Sequence, residues 1–151
     1  MTPTTDVLIG DTDRQYVLIR PLCRRHPDLF DYQAGNWIDC EIEIAAGAFR
    51  GRFQTDLRSE EFHAFLQEAE ALSRSLEGAA GFATVEGGIA VALTGDDHGQ
   101  LRVRGEAVDA ADAGNRLLFD FVIEQTCLSD ICQSLAYLLA AYPVTGTPAD
   151  A

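Results

Sequence analysis

From Trp37 to Phe53 the chain alternates apolar and polar residues on both sides of a short Ala-Ala-Gly turn, and no other feature constrains its fold as much. A two-residue period on either side of a turn marks an antiparallel hairpin with one dry and one wet face. Ile38, Cys40, Ile42 and Ile44 then point one way, and Trp37, Asp39, Glu41 and Glu43 the other. Placing Ile44 opposite Phe49 matches both faces: Glu43 meets Arg50, Glu41 meets Arg52 and Cys40 meets Phe53. A slip of one residue would turn every side chain to the wrong face. This register predicts burial for Ile38, Cys40, Ile42, Phe49 and Phe53. It predicts exposure for Asp39, Glu41, Glu43, Arg50 and Arg52.

Elsewhere the period decides the element type. Val7 to Ile9 and Tyr16 to Leu22 read as strands around the turn Gly10-Asp11-Thr12-Asp13. A loop with Pro21, Pro27 and Gly35, carrying Phe30 and Tyr32, leads into the hairpin. Phe62, Phe65, Leu66, Ala69, Leu72 and Leu76 then recur at helical spacing. Ser59 reads as the N-cap of that helix, Glu60 and Glu61 suit its positive end, and Gly78 ends it. Strand patterns resume over 80–85, 89–93, 101–104 and 117–123. Leu93 is expected opposite Leu101, and Val91 opposite Val103. A last helix, capped at Thr126, carries Leu128, Ile131, Leu135, Leu138, Leu139 and Tyr142, and Pro143 terminates it. The sum is an α+β fold: an antiparallel sheet of about seven or eight strands in hairpins and meanders, with two helices on one face. Residues 1–143 form a single domain, and 144–151 read as a flexible C-terminal tail.

At 151 residues the chain buries roughly two-thirds of its unfolded surface and needs neither metal nor disulfide to fold. Its formal net charge is -13, and its 11 cationic side chains are all arginine. Such a surface repels a phosphate backbone, which argues against nucleic acid as a partner. It attracts a basic protein, or it simply confers solubility. The N-terminus has no basic region followed by an apolar run of signal-peptide length, and no segment approaches the ~20 apolar residues of a membrane span. The expectation is a cytoplasmic protein without membrane contact.

Candidate chemistry is sparse. Asp96-Asp97-His98-Gly99 falls between two strands, where Asp and Gly serve the turn. His26 and His63 read as surface histidines. Cys23, Cys40, Cys127 and Cys132 form no Cys-x-x-Cys pair, so they read as reduced thiols. Cys127, at a helix start, is the one position where a thiol could be activated, but no adjacent base accompanies it. The glycines form no nucleotide-binding pattern. The sequence therefore predicts no catalytic, cofactor-binding or metal-ligating residue and no enzyme. What remains are candidate partner-binding residues: Trp37, Asp39, Glu41 and Glu43 on the hairpin, and Glu60, Glu61 and Glu68 on the first helix. Trp37 is either a binding hot spot beside a carboxylate row or a ring covered by the loop carrying Phe30 and Tyr32. Arg50 and Arg52 offset the hairpin acids, which leaves the helix as the less compensated face.

Several motifs, taken in order, extend the reading. Asp31-Tyr32 leads to Asn36-Trp37 and the alternating strand, and Thr55-Asp56-Leu57 precedes a helix carrying Phe62 and Leu66. Leu76-x-Gly78-x-Ala80-x-Phe82 and Val103-Arg104-Gly105 follow. Phe119-Asp120-Phe121-x-x-Glu124-Gln125-Thr126-x-Leu128 comes next, then Leu135 and Tyr142-Pro143. Together they resemble the WapI-type immunity proteins of bacterial toxin systems. The resemblance implies an intracellular, non-enzymatic protein that binds and neutralises a cognate toxin, commonly a nuclease. It carries over no catalytic or toxin-contacting residue. A different class of function, an α+β module that binds a small ligand or self-associates through its sheet, stands beside it.

Overall fold

The computed structural model describes residues 5–75, 77–84, 88–96, 98–110 and 113–148. Two four-stranded antiparallel meanders enclose one core, and two helices complete it. The first sheet joins β1 (Val7–Gly10), β2 (Tyr16–Arg24), β3 (Trp37–Ala46) and β4 (Phe49–Arg58) in sequence order. Helix α1 (Ser59–Ser75) follows directly. The second sheet joins β5 (Ala79–Ala83), β6 (Ile89–Gly95), β7 (Gln100–Val108) and β8 (Arg116–Glu124), and α2 (Cys127–Ala141) ends the fold. The eight antiparallel strands and two helices are those of the expected α+β class, but the strands divide between two sheets. The helices pack on each other; α1 lies along the edge strand β5 and α2 along the edge strand β1. Leu76, Val85, Gly87 and Asp97, which the sequence assigned to a helix stripe, a strand and turns, lie outside the described residues.

Alternation sorts the faces as expected: Ile38, Cys40, Ile42 and Ile44 are buried. The register does not follow the expectation. Ile44 pairs with Gly51, Ile42 with Phe53 and Glu43 with Arg52, so the hairpin is offset by two residues. The strands run on to Ala46 and Phe49, leaving a two-residue loop, Gly47-Ala48. Gly47 has φ of 61°, the left-handed conformation that such tight loops demand. Phe49 therefore sits at the tip, 66% exposed, and Phe53 is only partly buried. The β6–β7 hairpin shows the same offset: Leu93 pairs with Val103 and Val91 with Gly105. Asp96 closes its turn by accepting N–H bonds from His98 and Gln100 at 2.8 and 2.9 Å.

Phe62 and Phe65 of α1 meet Phe82 of β5, with ring centroids 5.1 and 5.6 Å apart. Such pairs contribute about 0.5–1.5 kcal/mol beyond area burial. The start of α1 differs from the sequence reading. Ser59 is buried and its Oγ has no hydrogen-bond partner among the described residues. The cap is instead made one residue earlier, where Glu61 reaches back to accept the Arg58 N–H at 2.8 Å. Thr126 likewise makes no side-chain cap on α2. Beyond α2, Thr145 is tied to the loop before β3. Its N–H donates to Asn36 Oδ1 at 2.8 Å, and Asn36 Nδ2 donates to Thr145 O at 3.0 Å and Tyr32 O at 2.9 Å. Gly146, at φ of 68°, fits where a Cβ would strike the Tyr32 nitrogen at 2.3 Å.

Candidate functional site

The outward face of the first sheet gathers most of the candidate residues into one strip. Strand periodicity puts Trp37, Asp39, Glu41 and Glu43 of β3 on that face, beside Arg52, Gln54, Asp56 and Arg58 of β4. The strip starts at the β4–α1 junction, where Trp37 lies directly opposite Arg58. The Arg58 guanidinium stacks 4.8 Å from the Trp37 ring centroid and 5.6 Å from that of Tyr32. It donates to both carboxylate oxygens of Glu60 at 2.9 and 2.8 Å, to Gln33 O at 2.7 Å, and to Tyr32 O. Tyr32, Gln33, Trp37, Arg58, Glu60 and Glu61 line an open cleft of about 430 Å³. Burial, reinforced by the Glu60 carboxylate, pushes the Tyr32 hydroxyl pKa up, so it stays protonated at neutral pH.

Trp37 is neither a free ring nor a covered one. It is half-buried, and Tyr32 and Gln33 of the loop line the cleft with it, whereas Phe30 of the same loop is 73% exposed. Along the row, Glu41 takes Arg20 at 2.7 Å and Arg52 at 3.1 Å. Glu43 lies 4.0 Å from Arg52 and accepts the Tyr16 hydroxyl at 3.0 Å. Asp39 lies opposite Asp56, which Arg25 pairs, and receives the Cys23 thiol at 3.7 Å. These acids are half-buried as a result, not fully exposed. On α1, Glu60 and Glu61 join the cleft, whereas Glu68 stands apart and accepts the Gly81 N–H of β5 at 3.1 Å. The helix is thus no less compensated than the hairpin.

Tyr32, Gln33 and Arg58 are the cleft residues that sequence reasoning missed. The signal for Arg58 was present: pairing shifted by two residues puts it across from Trp37. Cys127, the candidate for activation, has its thiol pKa pushed up by burial and by the carboxylates of Glu124 and Asp130, which outweigh its helix-start position. All four cysteines are free thiols, and burial drives the Cys40 pKa up strongly. Among the described residues no group of three or more His, Cys, Asp or Glu could hold a metal ion, and no helix is long and apolar enough to cross a membrane.

The model of the immunity protein WapI-like family matches residues 7–143, from the first strand to the second residue after α2. The chain belongs to that family. No curated protein sequence matches it. Among solved structures, a chain of the CdiA-CT/CdiI toxin and immunity complex from Enterobacter cloacae aligns with a TM-score of 0.44. That alignment has 8% identity and covers 87% of this chain and 97% of that one, a distant likeness without residue correspondence.

Proposed function

We propose that this protein acts in the cytoplasm by binding a basic protein toxin directly, and that it catalyses no reaction. The observation that carries this reading is the convergence of Trp37 with Glu60 and Glu61 in one open cleft, continuous with the row Asp39, Glu41 and Glu43, on a chain of net charge -13. Membership of an immunity family supports it. Carboxylates beside an aromatic ring suit a lysine or arginine side chain at the cleft rim: the carboxylates supply charge-assisted hydrogen bonds, and the exposed part of the Trp37 ring borders the alkyl stem. Arg58 stacks on both rings and neutralises Glu60, so an entering cation meets an ordered cleft without net positive charge. If the toxin is a nuclease, an acidic face occupies the surface that would otherwise contact phosphates.

Co-expression with a candidate toxin encoded beside the gene provides the test. The protein should restore growth and co-purify with the toxin. Association should slow markedly as salt rises and the Debye length falls below about 8 Å. Trp37→Ala and Glu61→Gln should each weaken the complex without unfolding the protein. Absence of both rescue and complex would refute the reading. A complex indifferent to these substitutions would move the contact elsewhere.

A further inference from the structure

The outer face of the second sheet is built unlike that of the first. Its β5–β6 half presents Ala79, Gly81, Ala83, Ala90 and Ala92, with nothing longer than Thr94. Alanine and glycine are poor strand residues on an open face. A strand glycine often marks close approach by another backbone or a ligand. The β7–β8 half stands proud with Arg102, Arg104, Leu118 and Val122, Leu118 being 70% exposed and Val122 45%. The charges on this half balance. Arg102 and Arg104 hold Asp120 at 2.7 and 3.2 Å, Arg116 holds Glu106 at 2.7 Å, and the exposed Glu124 at the end of β8 supplies the third carboxylate against the three arginines.

We infer that this face binds a second copy of the same chain. Two bodies of charge -13 repel, so they can meet only where the local charge is balanced, and this face meets that condition. A basic toxin would be drawn instead to the acidic strip of the other sheet. The relief is also self-complementary, as a two-fold dimer requires. With the axis parallel to the strands, the raised β7–β8 half of each copy lies over the recessed β5–β6 half of its partner. Leu118 then enters the partner's shallow depression over Gly81, Ala83, Ala90 and Ala92, whose raised rim is formed by Arg104, Glu106 and Leu118 of that partner. With strands of 5, 7, 9 and 9 residues, strand spacing and rise give a footprint of about 20 by 25 Å. Side-chain relief raises the buried area above that flat footprint, toward the ~800 Å² per partner of a standard interface.

The test is sedimentation velocity on the purified protein, with light scattering to fix the mass, from about 1 µM to about 1 mM, a range that spans the weaker affinities of such interfaces. The wild type should approach twice 16.4 kDa as concentration rises. Leu118→Glu disrupts the raised half and Ala92→Arg fills the recessed one. Both positions are solvent-exposed in the single chain, so each variant should keep the wild-type circular dichroism and sediment as a monomer throughout. A wild type that stays monomeric to about 1 mM overturns the inference. So does a dimer that survives both substitutions, or a mass that keeps growing beyond two. If the wild type is monomeric and Leu118→Glu abolishes toxin binding, the occupant is the toxin, and the inference fails while the immunity reading stands.

Discussion

Replacing Arg58 by methionine keeps an apolar stem beside Tyr32 and Trp37 and removes only the guanidinium. That group bridges the Glu60 carboxylate, two loop carbonyls and two aromatic rings, and only 10% of the side chain is accessible. Breaking a buried ion pair costs about 3–5 kcal/mol because the partner charge is stranded. Glu60 retains 20% accessibility and the cleft is open, so water recovers part of that loss. We expect a loss of about 2–4 kcal/mol. At this chain length each kcal/mol lowers Tm by about 2–4 °C, so the fall should be about 5–15 °C. Urea and thermal melts followed by circular dichroism provide the measurement. Emission from the single tryptophan, Trp37, should shift as the cation leaves its ring. Arg52→Met is the control. Its side chain is 62% accessible although it reaches two carboxylates, so it should cost less than ~1 kcal/mol. Arg58→Met within ~0.5 kcal/mol of wild type, or no worse than the control, would refute the reasoning.

Ile42→Ala empties a fully buried site between the sheet and the core and should cost about 2–5 kcal/mol in the same melts. Ser59→Ala separates two readings of α1: an N-cap would lose about 0.5–2 kcal/mol, whereas an unpartnered buried hydroxyl should leave stability unchanged or raised. The Arg102 hydrogen bonds hold the Asp120 carboxyl at about 2, below its ordinary value. Its stabilising contribution is therefore full above about pH 4 and lost as pH falls toward 2, and carboxyl-carbon NMR should show Arg102→Gln moving the titration upward. In native thiol titration Cys23, which is exposed, should react first, and Cys40 only after denaturation; a pair blocked without reductant would contradict free thiols.

Faces were legible in the sequence and registers were not. A strand shifted by two residues returns each side chain to the same face, so alternation from Ile38 to Ile44 could not tell a pairing with Phe49 from one with Gly51. The loop decides, and in both hairpins the chain takes the tighter connection. That offset matters for the site, since it hides the Trp37–Arg58 pair on which the cleft is built. The division into two sheets was also invisible, because α1 interrupts the strands without altering their period. The caps failed for a different reason: Ser59 and Thr126 have suitable side chains, but Glu61 serves one helix start and neither hydroxyl caps its helix.

Asn36 ties the cleft to the end of the described chain. Its amide links Tyr32, which flanks Arg58, to Thr145, 109 residues further on. Opening there frees the loop that supplies one wall of the cleft, so the two regions should open together in local unfolding. A partner seated at Trp37 must therefore deepen the amide-exchange protection of Thr145 without touching it. By the same linkage, Asn36→Ala should weaken a distant partner mainly through a faster off-rate, as the competent cleft becomes a shorter-lived state.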